Sequence, residues 1–166
     1  MEKILVKDSR VYSIIVQYDM HSDFFAKALD GISDKDAHNR LNTKANHIAW
    51  ITGSLVQERY ELAKTLGIDI RQSAHELFKD HKGIQEGITY PPLAQFREDW
   101  DTIRPLLRNA LEDLDKDLLN SSFDMMPGVP MTYFDLITFI MYREANCIGQ
   151  IALWRRLLGY EPMKYM

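Results

Sequence analysis

The sequence predicts an all-α fold, a four-helix bundle with a long crossover between the second and third helices. Three observations carry this expectation. Apolar residues recur at the 3.6-residue helical period through four long segments, capping signals punctuate the segment ends, and no stretch holds the strict alternation of a half-buried strand. With 166 residues, the chain makes one domain over 1–166. A domain of this size buries roughly 70% of its extended-chain surface, so it needs no metal or disulfide staple.

In the first segment Val11, Ile14, Ile15, Tyr18, Phe25, Leu29 and Ile32 form one stripe, with Gly31 near its end where a left-handed cap suits glycine. A second stripe, Ile48, Ile51, Leu55, Leu62 and Leu66, stops at Gly67 and predicts a helix from about 45 to 66. The pattern weakens from Gly67 to Pro92. There Ser73 and Glu76 are spaced as a capping box before Leu77 and Phe78, which predicts a short helix inside the crossover. The third helix starts near Pro92 and carries Phe96, Trp100, Ile103, Leu107, Leu111 and Leu114 on one side. Pro105 inside it removes one backbone hydrogen bond and predicts a kink. Asn120 to Pro130 is rich in Asn, Ser, Gly and Pro and reads as a loop. The fourth helix opens on a Thr132/Asp135 capping box, with Met131 and Leu136 spaced as a hydrophobic staple. Its predicted inward column is Leu136, Ile140, Arg143, Cys147, Ile151, Trp154 and Leu158, closed by Gly159.

Composition narrows the functional classes. The formal charge is −4, from 20 Lys+Arg against 24 Asp+Glu, and no basic block occurs. Nucleic acid and anionic membrane are therefore not expected as main partners. No uncharged segment approaches the ~20 apolar residues that span a bilayer, and the stretch Met1 to Asp8 lacks a signal-peptide core. The single Cys147 excludes an intrachain disulfide and suits a reducing compartment, so a cytoplasmic location is expected.

Polar side chains on the apolar faces are the informative feature. His47, Ile51, Ser54 and Glu58 are spaced four, three and four, which places them in one helical column. Arg143 falls in the fourth helix's apolar column, where a guanidinium must be paired or open to water. His21 lies seven residues after Ile14 and four before Phe25, on the inner stripe. Together His21, His47, Ser54, Glu58, Arg143 and Cys147 predict a small polar pocket inside the bundle. Plainer readings stand beside this one. His21 fits a hydrogen-bonded core histidine, and Cys147 fits a small buried hydrophobe, since no His lies within a turn of it on its own helix. Glu58 and Arg143 either meet inside or reach separately to solvent. His75 and His81, six apart, do not share a helical face and read as surface residues; Met125, Met126, Met131 and Met141 read as loop and core fillers. There is no GxGxxG, Walker loop, GxSxG, HExxH or CxxC motif, and no Glu-x-x-His pair of the di-iron bundles: three residues after Glu58, Glu61, Glu112 and Glu144 stand Glu61, Lys64, Asp115 and Cys147.

The stretch Asn46-His-Ile-Ala-Trp-Ile-Thr-Gly-Ser-Leu55 and the tail Arg143 to Gly159, with its Gly-Gln-Ile-x-x-x-Arg-x-x-Leu-Gly pattern, resemble the DinB-like superfamily of four-helix bundles. The order of segments and the long second crossover are similar to that family too, so the resemblance covers nearly the whole chain. It implies a homodimer, and a divalent metal held by three histidines. The matching positions here are Ser54, Arg143 and Cys147, of which only Cys147 is a good soft-metal donor and Arg143 is a permanent cation. No metal and no other cofactor is therefore expected at this site. The resemblance also implies antiparallel second and fourth helices, which would bring Glu58 to Arg143 in place of the missing metal charge. The first functional expectation is a metal-free bundle that binds a small molecule or a protein partner through the polar pocket, with no catalytic residue assigned. The alternative is a thiol transferase or hydrolase with a metal relocated to His21, His47, Glu58 and Cys147. A third is a homodimer subunit whose working surface is a helix face.

Overall fold

The structure is a computed structural model; it describes residues 6–126 and 128–165, apart from the side chains of Met125 and Met126. The readings of Met1 to Leu5 and of those two methionine side chains lie outside the described residues. The chain is all-α with one small hairpin. Its elements run α1 (Ser9–Leu29), α2 (Asp34–Ala37), α3 (Ile48–Thr65), α4 (His75–Phe78) followed by a 3₁₀ turn (Lys79–His81), α5 (Leu93–Glu112), α6 (Lys116–Asn120), β1 (Ser122–Met126), β2 (Val129–Thr132) and α7 (Tyr133–Leu157).

The four long helices enclose one core. Helix α1 packs on α7 and α5, and α3 packs on α5 and α7. Val11, Ile14, Ile15, Tyr18, Phe25 and Leu29 of α1 are all buried, as the stripe requires, and so are Phe96, Trp100, Ile103, Leu107 and Leu111 of α5. The rings of Phe25 and Trp100 stack with centroids 3.9 Å apart, so the two stripes meet face to face. Pro105 sits on the exposed side of α5 together with Asp101, whose carbonyl loses its partner. The helix nevertheless runs on through the proline.

Boundary chemistry explains where the helices begin. Asp8 caps α1 by accepting from the Arg10 backbone N–H at 2.9 Å. The Thr132/Asp135 capping box of α7 forms in both directions. Three expectations need correction. Helix α3 begins at Ile48 and not near 45, because His47 is its N-cap: Nδ1 accepts from the Trp50 N–H at 3.1 Å. Ser73 does not cap the crossover helix; its N–H and Oγ both donate to the Asp99 carboxylate of α5, at 3.1 and 3.0 Å, and Ala74 takes the cap position. The region read as a loop contains an antiparallel hairpin with Phe123 opposite Met131 and Asp124 opposite Pro130. Its residues are mostly exposed, so no buried face imposes an alternating pattern, and Gly128 makes the turn at φ +80°.

The inward column predicted for the fourth helix holds in part: Ile140, Ile151 and Trp154 are buried, but the buried stripe is centred to one side of that column. Ile137, Met141, Glu144, Ile148 and Ile151 face inward, whereas Leu136, Arg143 and Cys147 lie half-buried at its border. Arg155 anchors the end of α7. Its guanidinium donates to the carbonyls of Ala28, at 3.2 Å, of Asp30, and of Glu161, at 2.6 Å, tying the C-terminal tail to the end of α1.

The crossover is held against α3 by the absence of a side chain at Gly53. A Cβ there would come within 2.2 Å of the Phe78 ring and 2.8 Å of Phe96. Phe78 therefore lies almost on the α3 backbone, and Gln72 fastens the same stretch by donating to the Gly53 carbonyl at 3.2 Å. Among the described residues no helix is long and apolar enough to cross a membrane.

Candidate functional site

A cavity of about 580 Å³ opens between α3, α7 and the crossover. One wall is apolar, built by Trp50 and Leu62 of α3, Phe78 of the crossover and Leu136, Phe139 and Ile140 of α7. The other end is polar, and its centre is Arg143. Nη1 donates to Glu58 Oε2 at 2.6 Å and Nη2 donates to Ser54 Oγ at 2.7 Å. Ser54 and Glu58 are four apart on α3, so one guanidinium reaches both from the facing helix. The pair is neither dry nor free: the side chains of Arg143 and Glu58 are 28% and 17% exposed.

Electrostatics make Glu58 unusual. Burial penalises its charged form and outweighs the attraction of Arg143, while Glu144 adds repulsion, so its pKa is pushed up to about 7. A carboxyl poised near neutrality in a cleft beside a fixed cation can take up or release a proton at working pH. Cys147, one turn after Arg143, does not line the cavity; burial pushes its thiol up, against the lowering effect of Arg143. A raised thiol pKa disfavours both a nucleophilic and a metal-binding thiolate.

Behind the cavity lies a second polar cluster, fully enclosed. Glu144 accepts from Arg59 Nε at 2.5 Å and Nη2 at 2.8 Å, and its Oε2 lies 3.2 Å from His21 Nδ1. Arg59 Nη1 donates to Ser22 Oγ at 2.8 Å. Its guanidinium plane lies between two rings, 3.5 Å from the Trp100 centroid and 4.0 Å from that of Tyr18. Burial alone would raise the Glu144 carboxyl, but the combined pull of Arg59 and His21 holds it below its ordinary value.

Of the six residues predicted for the pocket, Ser54, Glu58 and Arg143 come together. His21 does not join them: it is a core residue bonded to Glu144, as its place on the inner stripe of α1 dictates. His47 is also elsewhere, because an N-cap side chain folds back over its own helix start. It stands beside His38 and Tyr90, with ring centroids 5.2 and 5.3 Å away, and burial, helped by His38 and Arg40, pushes it down to about 4. The set His21, His47, Glu58 and Cys147 is thus spread over separate places and does not make a relocated metal site. Among the described residues no three His, Cys, Asp or Glu side chains are placed to hold a metal ion. The ligand positions implied by the resemblance do not fit a metal either, since Arg143 already bonds the residue at one of them, Ser54.

Sequence reasoning missed the apolar wall, and it missed His81 and Lys82, which edge the cavity from the 3₁₀ turn and the residue after it. It also missed Arg59 and Glu144, although a signal existed. The second stripe jumps seven residues from Leu55 to Leu62, and Arg59 fills the gap; Glu144 fills the equivalent place between Met141 and Ile148.

These features define an all-α protein of four long helices with a half-open cavity on one side. No family model matches the chain, and no curated protein matches it in sequence. In fold it is similar to a conserved protein of Enterococcus faecalis known from a crystal structure, with a TM-score of 0.67, 12% identity, and coverage of 89% of this chain and 95% of that one. At that identity the likeness is one of fold.

Proposed function

We propose that the chain is a DinB-like four-helix bundle in which a guanidinium stands where relatives hold a metal, and that it binds a small organic molecule in the cavity between α3, α7 and the crossover. The observation that carries this reading is the cavity itself: about 580 Å³, apolar on one side, with the Arg143–Glu58–Ser54 cluster at its polar end. That size and division of surface suit a drug-sized ligand whose body is buried and whose head is oriented by a few polar groups. Metal-dependent transfer or hydrolysis has no supporting geometry, since the donors required are not assembled. A protein purified without chelator should contain far less than one equivalent of zinc, nickel or iron by elemental analysis. A thermal-shift screen of small metabolites should find compounds that raise the melting temperature of the native chain and not of a Phe139→Arg variant, whose side chain would fill the cavity. Stoichiometric metal, or hits that ignore the blocked cavity, would reverse the reading.

The same resemblance leads us to expect a homodimer. Adjacent helices α1 and α7 support it with exposed apolar side chains, Tyr12, Val16 and Met20 on one and Tyr142, Leu153 and Leu157 on the other.

A further inference from the structure

We infer that the ligand class is an amphipathic organic carboxylate, whose head takes Arg143 in place of Glu58 and whose aromatic or branched body lies against Trp50, Phe78 and Phe139. This rests on the cavity reading above. A guanidinium has five N–H donors, and Arg143 uses two of them among the described residues, one to Glu58 and one to Ser54. Glu58 reaches it with a single oxygen, Oε2. A ligand carboxylate is free to turn and meet the guanidinium with two parallel bonds, the stronger and more specific arrangement.

The local charges point the same way. Glu58 is half-buried and, with its pKa near neutrality, gives up its charge at little cost. Glu61, the other carboxylate at the cavity, already accepts from Gln57 at 2.5 Å. On the cationic side Lys82 stands at the cavity edge and Arg143 at its end. At Arg143 an anionic head therefore meets a fixed cation and an acid that readily becomes neutral. Glu58 acts as an internal surrogate that keeps Arg143 paired until a ligand arrives.

The test uses three probes of one shape, 4-phenylbutyrate, 4-phenylbutanol and 4-phenylbutylamine, titrated into the full chain and followed by the indole N–H resonance of Trp50. The carboxylate should bind about ten-fold more tightly than the alcohol, and the amine more weakly than either. Arg143→Gln should abolish the preference for the carboxylate while leaving alcohol binding in place. At pH 8, about one unit above the Glu58 value, Glu58→Gln should tighten carboxylate binding about ten-fold by removing the competing anion, a gain that shrinks towards pH 6, with the alcohol unaffected. Circular dichroism would confirm that each variant is folded, and an Arg143 variant that fails to fold leaves the Glu58 result decisive. Equal affinity for carboxylate and alcohol in the native chain, preference for the amine, or no gain in Glu58→Gln would overturn the inference while leaving the cavity as a binding site. Failure of all three probes to move Trp50 would bring down the cavity reading with it.

Discussion

Arg59 and Glu144 form an ion pair that water does not reach, and Arg143 and Glu58 form one that it half reaches; the two should answer mutation differently. For the enclosed pair the carboxylate is held by two guanidinium bonds and a histidine, so removing one partner strands a charge in the core. Arg59→Met or Glu144→Met should each cost about 3 to 5 kcal/mol in chemical denaturation, with the double variant far milder than the sum. Near-additive losses would show that the two side chains do not depend on each other. For Glu58 the sign of the pH effect follows from a folded pKa of about 7 against an ordinary 4.5. The folded chain holds this proton more tightly than the unfolded one, so the stabilisation is complete below the ordinary value and is lost as pH rises through 7. The loss is on the order of 3 kcal/mol and should be missing from a Glu58→Gln variant, seen by comparing the two denaturation midpoints across that range. Coupling between Glu58 and Arg143 needs the ionised acid. It should reach about 1 to 2 kcal/mol near pH 8.5, between the exposed and buried limits, and fade below about pH 5.5. A coupling that does not change with pH would contradict the raised pKa. Ser54, Glu58 and Arg143 were legible because spacing alone puts Ser54 and Glu58 in one column and Arg143 in a position that demands a partner. His47 was misread because a histidine four residues before an apolar position looks the same whether it lies inside a helix or caps it.

At the level of elements, the crossover owes its seat to Gly53. Adding one methyl at this position drives it into Phe78, itself 4% exposed and backed by neighbouring rings, so the ring cannot swing away without opening the core. Gly53→Ala should cost about 1 to 3 kcal/mol through overpacking, even though alanine favours helix more than glycine does. A melting temperature equal to or above that of the native chain would show that the crossover yields at no cost. The four long helices could be read from the sequence because each buries a continuous stripe at the helical period. The hairpin could not, because most of its residues face solvent and solvent imposes no pattern. The fourth helix was placed correctly in sequence yet rotated towards Arg143 and Cys147, because Glu144 interrupts the apolar stripe that is in fact buried. Charge is an unreliable guide to facing when a partner such as Arg59 waits in the core.

For the whole molecule, the exposed apolar side chains of α1 and α7 bear on assembly. Light scattering coupled to gel filtration should give twice the 19.4 kDa chain mass, and Tyr142→Lys with Leu153→Lys should return it to a monomer. A monomeric native chain would assign that face no role in self-association. The Enterococcus faecalis protein has a similar fold at 12% identity, and apolar core positions in general tolerate replacement when volume and patterning are kept. Arg59 and Glu144 do not have that freedom singly. Each is tolerable only in the presence of the other, so a lineage that alters one must pass through a chain with a stranded charge before it can alter the second. The two positions should consequently covary among descendants of this sequence, both charged or both apolar, and chains with only one of the pair should be rare. Evolution would then count them as one site, though they stand 85 residues apart in the chain.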